Sequence, residues 1–206
     1  MIKGIDISKW NLVNDFGRVY KDGFEFVILR AGGNNGGFYT DPKFYDYYND
    51  AKAAGLKVGC YYDTGRNFKD TYVGYQCAVH FKDIIKGMQF DMPIYADIET
   101  VATCHRAGAT ECFKMFATVL EESGYFVGCY ASDISGFKDR LILKELENRY
   151  TLWVARYGKK PEYVKNCDMW QKRSNGFVSG IQGNVDIDVC YKDFTSIIKK
   201  KGLNGY

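Results

Sequence analysis

The chain has 206 residues, 46% hydrophobic and 17% aromatic, with 28 basic side chains against 25 acidic ones and a net charge of +3. That length supports one sizeable core or two small ones, and the composition is that of a folded protein, not a disordered one. The balanced charge gives no sign of a nucleic-acid partner, no apolar run is long enough for membrane insertion, and the start MIKGIDIS does not read as a secretory signal.

Lys3–Ser8 reads as a first strand, with Gly4, Asp6 and Ser8 on one face and Ile5 and Ile7 on the other. Trp10–Lys21 reads as a loop and a short helix capped by Asn14 or Asp15. Phe24–Ala31 is nearly all apolar, the mark of a strand covered on both faces. Gly32–Tyr39, rich in Gly and Asn, reads as a loop. A helix follows to about Ala54, with Asp41 as its N-cap, Pro42 in its first turn and Gly55 as its stop. Leu56–Asp63 is a third strand, and Lys69–Lys86 a helix ended by Gly87.

Asp91–Thr100, DMPIYADIET, organises the chain. As a strand it puts Met92, Ile94, Ala96 and Ile98 on one face and Pro93, Tyr95, Asp97 and Glu99 on the other. Two carboxylates so close raise the cost of ionising both, so at least one midpoint is driven up. One acid can then stay protonated beside a charged neighbour. Cys104–Ser123 follows as a long helix with Phe113, Phe116, Val119 and Leu120 on one stripe. Then come a strand at Tyr125–Ala131, a short helix near Phe137–Asn148, and strands at Tyr150–Arg156, Cys167–Lys172 and Val185–Cys190. Asp193–Lys201 reads as a terminal helix, its lysine run solvated. No repeat or Pro-rich linker divides the chain, so one domain over 1–206 is expected.

Strands alternating with helices imply parallel right-handed units. Eight of them suggest an α/β fold, an irregular β/α barrel shortened in its C-terminal third. In such barrels the site lies at the C-terminal strand ends. Asp6, Asp97, Glu99 and Asp186, with Asp188 near by, would converge there if strands one and eight meet. A doubly wound open sheet, the competing architecture, would not bring those two strands together. An acidic cleft suits either a hard cation or general acid catalysis at a glycosidic bond. Tyr62, Tyr130, Trp153, Tyr157 and Trp170 flank the strand ends, and their flat faces favour the sugar reading. Arg30, at the end of its strand, joins them as a candidate substrate contact.

Seven cysteines, an odd number without a CxxC pair, point to free thiols and synthesis in a reducing cytosol. Cys104, His105 and Cys112 are too irregularly spaced for a zinc site. No metal and no cofactor are expected. There is no G-x-S-x-G, P-loop or HExxH.

The segments GIDISKW, VILRAG, VGCYYD, YADIE, VGCYAS, LWVARY, MWQ and GNVDIDVCY, in that order, resemble glycoside hydrolase family 25, the Chalaropsis-type lysozymes common as phage endolysins. The resemblance runs from about Gly4 to Tyr191. It implies a barrel of five β/α units plus three strands and N-acetylmuramidase activity on bacterial cell-wall peptidoglycan. It implies that Glu99 is the proton donor, that Asp97 is the supporting carboxylate, and that Asp6 and Asp186 are the remaining acidic pair. Asp97 either attacks directly or orients the substrate's acetamido group. Asp188 stands where many relatives carry Asn, which leaves open which of the two aspartates faces the cleft. Tyr62 departs from the His or Phe often found there. A start that does not read as a secretory signal fits phage-type release to the wall or a leader already removed, and the expected lack of a wall-binding module fits either a complete enzyme or an excised catalytic domain. A chitinase-like hydrolase and a catalytically silent wall-binding module are the alternative functions.

Overall fold

Eight strands succeed one another around a closed barrel: β1 (Ile2–Ile7), β2 (Phe26–Asn34), β3 (Lys57–Asp63), β4 (Ile94–Asp97), β5 (Val127–Ser132), β6 (Thr151–Ala155), β7 (Met169–Gly176) and β8 (Val185–Cys190). The structure is a computed structural model and describes residues 1–206. β1 pairs with β2 on one side and β8 on the other, which closes the ring. Neighbours from β1 through β7 are parallel, whereas β8 is antiparallel to both β7 and β1. The open sheet is thereby excluded. The direction expected for the last strand is corrected: Asp186 reaches the mouth from the N-terminal end of β8, where it pairs with Asp6.

Four helices return the chain along the outside: α1 (Phe16–Lys21), α2 (Phe44–Ala53), α3 (Thr71–Ile85) and α4 (Arg106–Glu122). The Asp15 and Asp70 carboxylates cap α1 and α3 by accepting from free first-turn N–H groups. Each strand alternates between two apolar layers. Outward residues such as Ile5, Val27, Val58, Ile94 and Ala96 meet Phe81, Phe113, Phe116 and Leu120 of the helices. Inward residues, among them Phe26, Ile28, Tyr95, Trp153 and Met169, fill the barrel. The fifth helix, α5 (Phe194–Lys201), sends Phe194 and Ile198 into that inner cluster. Gly4 leaves room for Phe26, whose ring would lie 2.4 Å from an added Cβ.

Three local expectations are revised. The central strand spans four residues instead of ten. Pro93 has no N–H for a ladder, and Asp91 accepts from Lys52 Nζ at 2.8 Å, Val58 N at 3.2 Å and the Tyr206 hydroxyl at 2.5 Å. The Gly32–Tyr39 segment is not all loop: β2 continues to Asn34 and turns back as a short antiparallel strand, Phe38–Thr40. The helix expected near Phe137–Asn148 is replaced by a wide helical turn at Asp133–Lys138 and a tight one at Leu143–Glu145. Leu141, Leu143 and Leu146 are all buried there. Leu143 and Leu146, three apart, share one helical face, but Leu141, two before Leu143, falls on the other side of a helix.

Candidate active site

The carboxylates gather at the end of the barrel where β1 to β7 finish. β1 supplies Asp6, β3 Asp63, β4 Asp97 with Glu99 just beyond it, and β8 Asp186 and Asp188. The expected convergence of Asp6, Asp97, Glu99 and Asp186 is present. Both β8 aspartates point inward, Asp186 at the mouth and Asp188 one step deeper, because residues two apart share a face.

Gln171 on β7 ties one side together. Its Nε2 donates to Asp6 Oδ2 at 2.7 Å and to Asp186 Oδ2 at 3.4 Å, while its Oε1 accepts from the hydroxyls of Tyr130 at 2.8 Å and Tyr157 at 3.2 Å. Beneath it the Trp153 indole donates to Asp188 Oδ1 at 2.8 Å, and Asp188 Oδ2 has no partner. Burial, reinforced by Asp188 and Asp186, pushes the Asp6 carboxyl well above its ordinary range against the opposing Gln171 bond. Burial also pushes Asp186 up to about 6 and Asp188 up to about 8. This cluster holds protons near neutral pH. The amide N–H between Asp6 and Asp186 occupies ground where a hard cation would need an oxygen ligand.

Across the mouth, Asp97 is held through its backbone: its carbonyl accepts from Thr64 Oγ1 at 2.6 Å. Asp97 Oδ1 is buried without a partner. Burial, then Glu99 and Asp63, raise its carboxyl well above normal, with Arg30 opposing. Glu99 projects into the open cleft. Its carboxyl is raised by desolvation and by the charges of Asp63 and Asp186, while Tyr130 and Arg140 act the other way. Arg30 is fixed by a 2.8 Å bond from Nε to Asp41 and keeps one buried amino group, Nη2, unpaired. Asp41 is therefore an anchor for Arg30, and α2 begins later, at Phe44.

The aromatic candidates divide. Tyr130 lines the mouth, and Tyr157, 54% exposed, stands at its edge. Trp153, 1% exposed, is the floor beneath the carboxyls. Tyr62 and Trp170 are corrected, since each lies on the outward face of its strand. The Tyr62 hydroxyl meets His80 Nδ1 at 2.8 Å and its ring packs against Phe81 and Phe116 under the helices. Trp170 donates to the Arg156 carbonyl at 2.8 Å. Their neighbours Tyr61 and Gln171 take the inward positions. The sequence reading missed Gln171, Tyr61 and Asp63. Each was recoverable from alternation: Gln171 follows inward Met169 by two, and Tyr61 and Asp63 share the face of β3 opposite Tyr62.

This arrangement can deliver a proton from one carboxyl while a second, enclosed carboxyl stands close by. Residues 5–181 match the family described as glycosyl hydrolases family 25. The autolytic lysozyme of Clostridium acetobutylicum is 32% identical over 190 residues, covering 91% of this chain and 55% of that protein. The chain thus spans little more than half the length of that relative. The crystal structure of the CTP1L endolysin superposes with a TM-score of 0.82 at 28% identity, covering 97% of this chain and 70% of that one. A bacterial lysozyme from Streptomyces coelicolor shares the fold, with a TM-score of 0.77 at 21% identity over 99% of this chain and 97% of its own.

Proposed function

The chain belongs to glycosyl hydrolases family 25, and from that premise we propose that residues 1–206 form one catalytic domain, a muramidase acting on the bacterial cell wall. Its reaction is hydrolysis of the β-1,4 bond between N-acetylmuramic acid and N-acetylglucosamine in peptidoglycan. The observation that carries the reading is the Asp97–Glu99 pair at the barrel mouth, one carboxyl enclosed and the other open to the cleft.

Glu99 is the general acid. Its surroundings favour the protonated form, and it is the member of the pair that an entering glycan can touch. Asp97 supports the positive charge that develops at the anomeric carbon, or the acetamido group that shares it. The Arg30 guanidinium works against the burial that disfavours the charge of Asp97. Gln171, anchored on Asp6 and Asp186, accepts from the hydroxyls of Tyr130 and Tyr157 at the mouth, where the hydroxyls and ring faces suit a sugar.

The reading is tested by digesting purified peptidoglycan, reducing the products with borohydride and identifying the reduced end. Muramitol is expected. Glucosaminitol, or equal activity on chitin, would replace the muramidase reading with a glucosaminidase one, and intact walls would leave a binding module.

A further inference from the structure

Asp63 has no part in the reading above, yet it ends β3 directly beside Asp97 in the parallel register. Paired residues of neighbouring parallel strands lie on the same face about 5 Å apart, so the Asp63 side chain enters the mouth beside the Asp97–Glu99 pair. Its position is fixed from two sides. Oδ2 accepts from the Tyr39 hydroxyl at 3.1 Å, and Oδ1 accepts from the Gly65 backbone N–H at 3.1 Å. β2 comes close enough for this only because residue 33 is glycine: a Cβ there would lie 2.6 Å from the Asp63 carbonyl and 2.7 Å from the Tyr39 hydroxyl. Tyr39 comes from the short strand that turns back from β2, so this clamp joins two separate segments onto one carboxylate.

We propose that Asp63 is the fixed negative charge against which Glu99 holds its proton, a positioning residue that acts through Glu99 without touching the sugar. The inference rests on the muramidase reading for its consequence in catalysis, but not for its electrostatics. The charge balance at the mouth supports it. Facing the cleft are Asp6 from β1, Arg30 from β2, Tyr39 from the short strand, Tyr61 from β3, Asp97 from β4 and Tyr130 from β5. Arg140 follows β5, Tyr157 follows β6, and Asp186 and Asp188 lie on β8. Burial at the mouth favours the protonated state of Asp6, Asp186 and Asp188, whereas at Asp97 Arg30 opposes it. Asp63 has a hydrogen-bond donor on each oxygen, and among charged neighbours it is the foremost influence raising Glu99.

The test titrates Glu99 in the full-length chain by carbon-13 NMR of labelled glutamate carboxyls, assigned by subtraction of the Glu99→Gln spectrum. It is run beside the pH–rate profile on purified peptidoglycan. Removing a neighbouring carboxylate charge in partly screened surroundings lowers a carboxyl midpoint by about one pH unit. Asp63→Asn and Asp63→Ser are both expected to lower the Glu99 midpoint by that amount and to move the alkaline limb of activity with it. Asp63→Glu is expected to restore most of both. An unmoved midpoint, with activity reduced evenly at every pH, would overturn the inference while leaving the muramidase reading intact. A midpoint that moves in a protein that cleaves no glycan would uphold the inference and remove the muramidase reading.

Discussion

Asp188→Asn isolates the energetics of the buried acid cluster. Asp188 is 0% exposed, accepts one bond from the Trp153 indole, and has a second oxygen without a partner. Burial pushes its carboxyl up from the ordinary 3.8 to about 8. At pH 7 the native protein therefore keeps a proton that the unfolded chain has lost. Retaining it costs about 1.36 kcal/mol for each of roughly three pH units above the unfolded midpoint, or about 4 kcal/mol. Asn mimics the protonated acid. It keeps an acceptor for Trp153, carries no proton to lose, and removes a competitor for the protons of Asp6 and Asp186. Its second N–H bond must still find an acceptor, so a net gain of about 2–3 kcal/mol at pH 7 is expected, equivalent to roughly 4–12 °C in melting temperature at this chain length. The sign follows from the raised midpoint. Below about pH 4 both states of the wild type are protonated and the variant gains nothing from this source; from there to about pH 8 the native excess of bound protons makes the wild type lose stability relative to the variant. Thermal melts of both proteins at pH 4, 6 and 8 measure the gap. A gap that does not widen with pH, or a variant less stable at pH 8, would refute the reasoning.

Asp97→Asn should lower wall cleavage severely while the circular dichroism stays unchanged, because it removes the supporting carboxylate; Asp188→Asn should lower it much less, since Asp188 lies below the mouth. Wild-type activity should fall on the alkaline side as Glu99 loses its proton, at a pH above the ordinary glutamate midpoint because that midpoint is raised. Tyr62→Phe should leave cleavage rates unchanged and cost about 1 kcal/mol in urea unfolding, the worth of its bond to His80.

The barrel and its acidic mouth were legible because both rest on alternation along strands. The period-two pattern of Asp6 in β1 and of Asp186 and Asp188 in β8 identified the inward face without knowledge of strand direction. Direction was not legible. A hydrophobic alternation reads the same from either end, and only the short link from β7 to β8, which has no crossover helix, carries the antiparallel sense. Aromatic type alone suggests Tyr62 and Trp170 as sugar contacts, but strand parity turns both outward. Gln171 was overlooked because one amide has no chemical signature until four oxygen partners surround it. Asp-Pro alone suggests a helix cap at Asp41, and the long-range ion pair of Asp41 with Arg30 has no local signal.

The account turns on Glu99 as the proton donor, and wall clearing by Glu99→Gln beside wild type tests that most directly. Both proteins are matched for concentration and circular dichroism and assayed on purified peptidoglycan at the wild-type optimum. Loss of a general acid is expected to slow clearing by about 10²–10⁴-fold. Clearing at near wild-type rate would contradict the account and assign the proton to another carboxyl of the mouth.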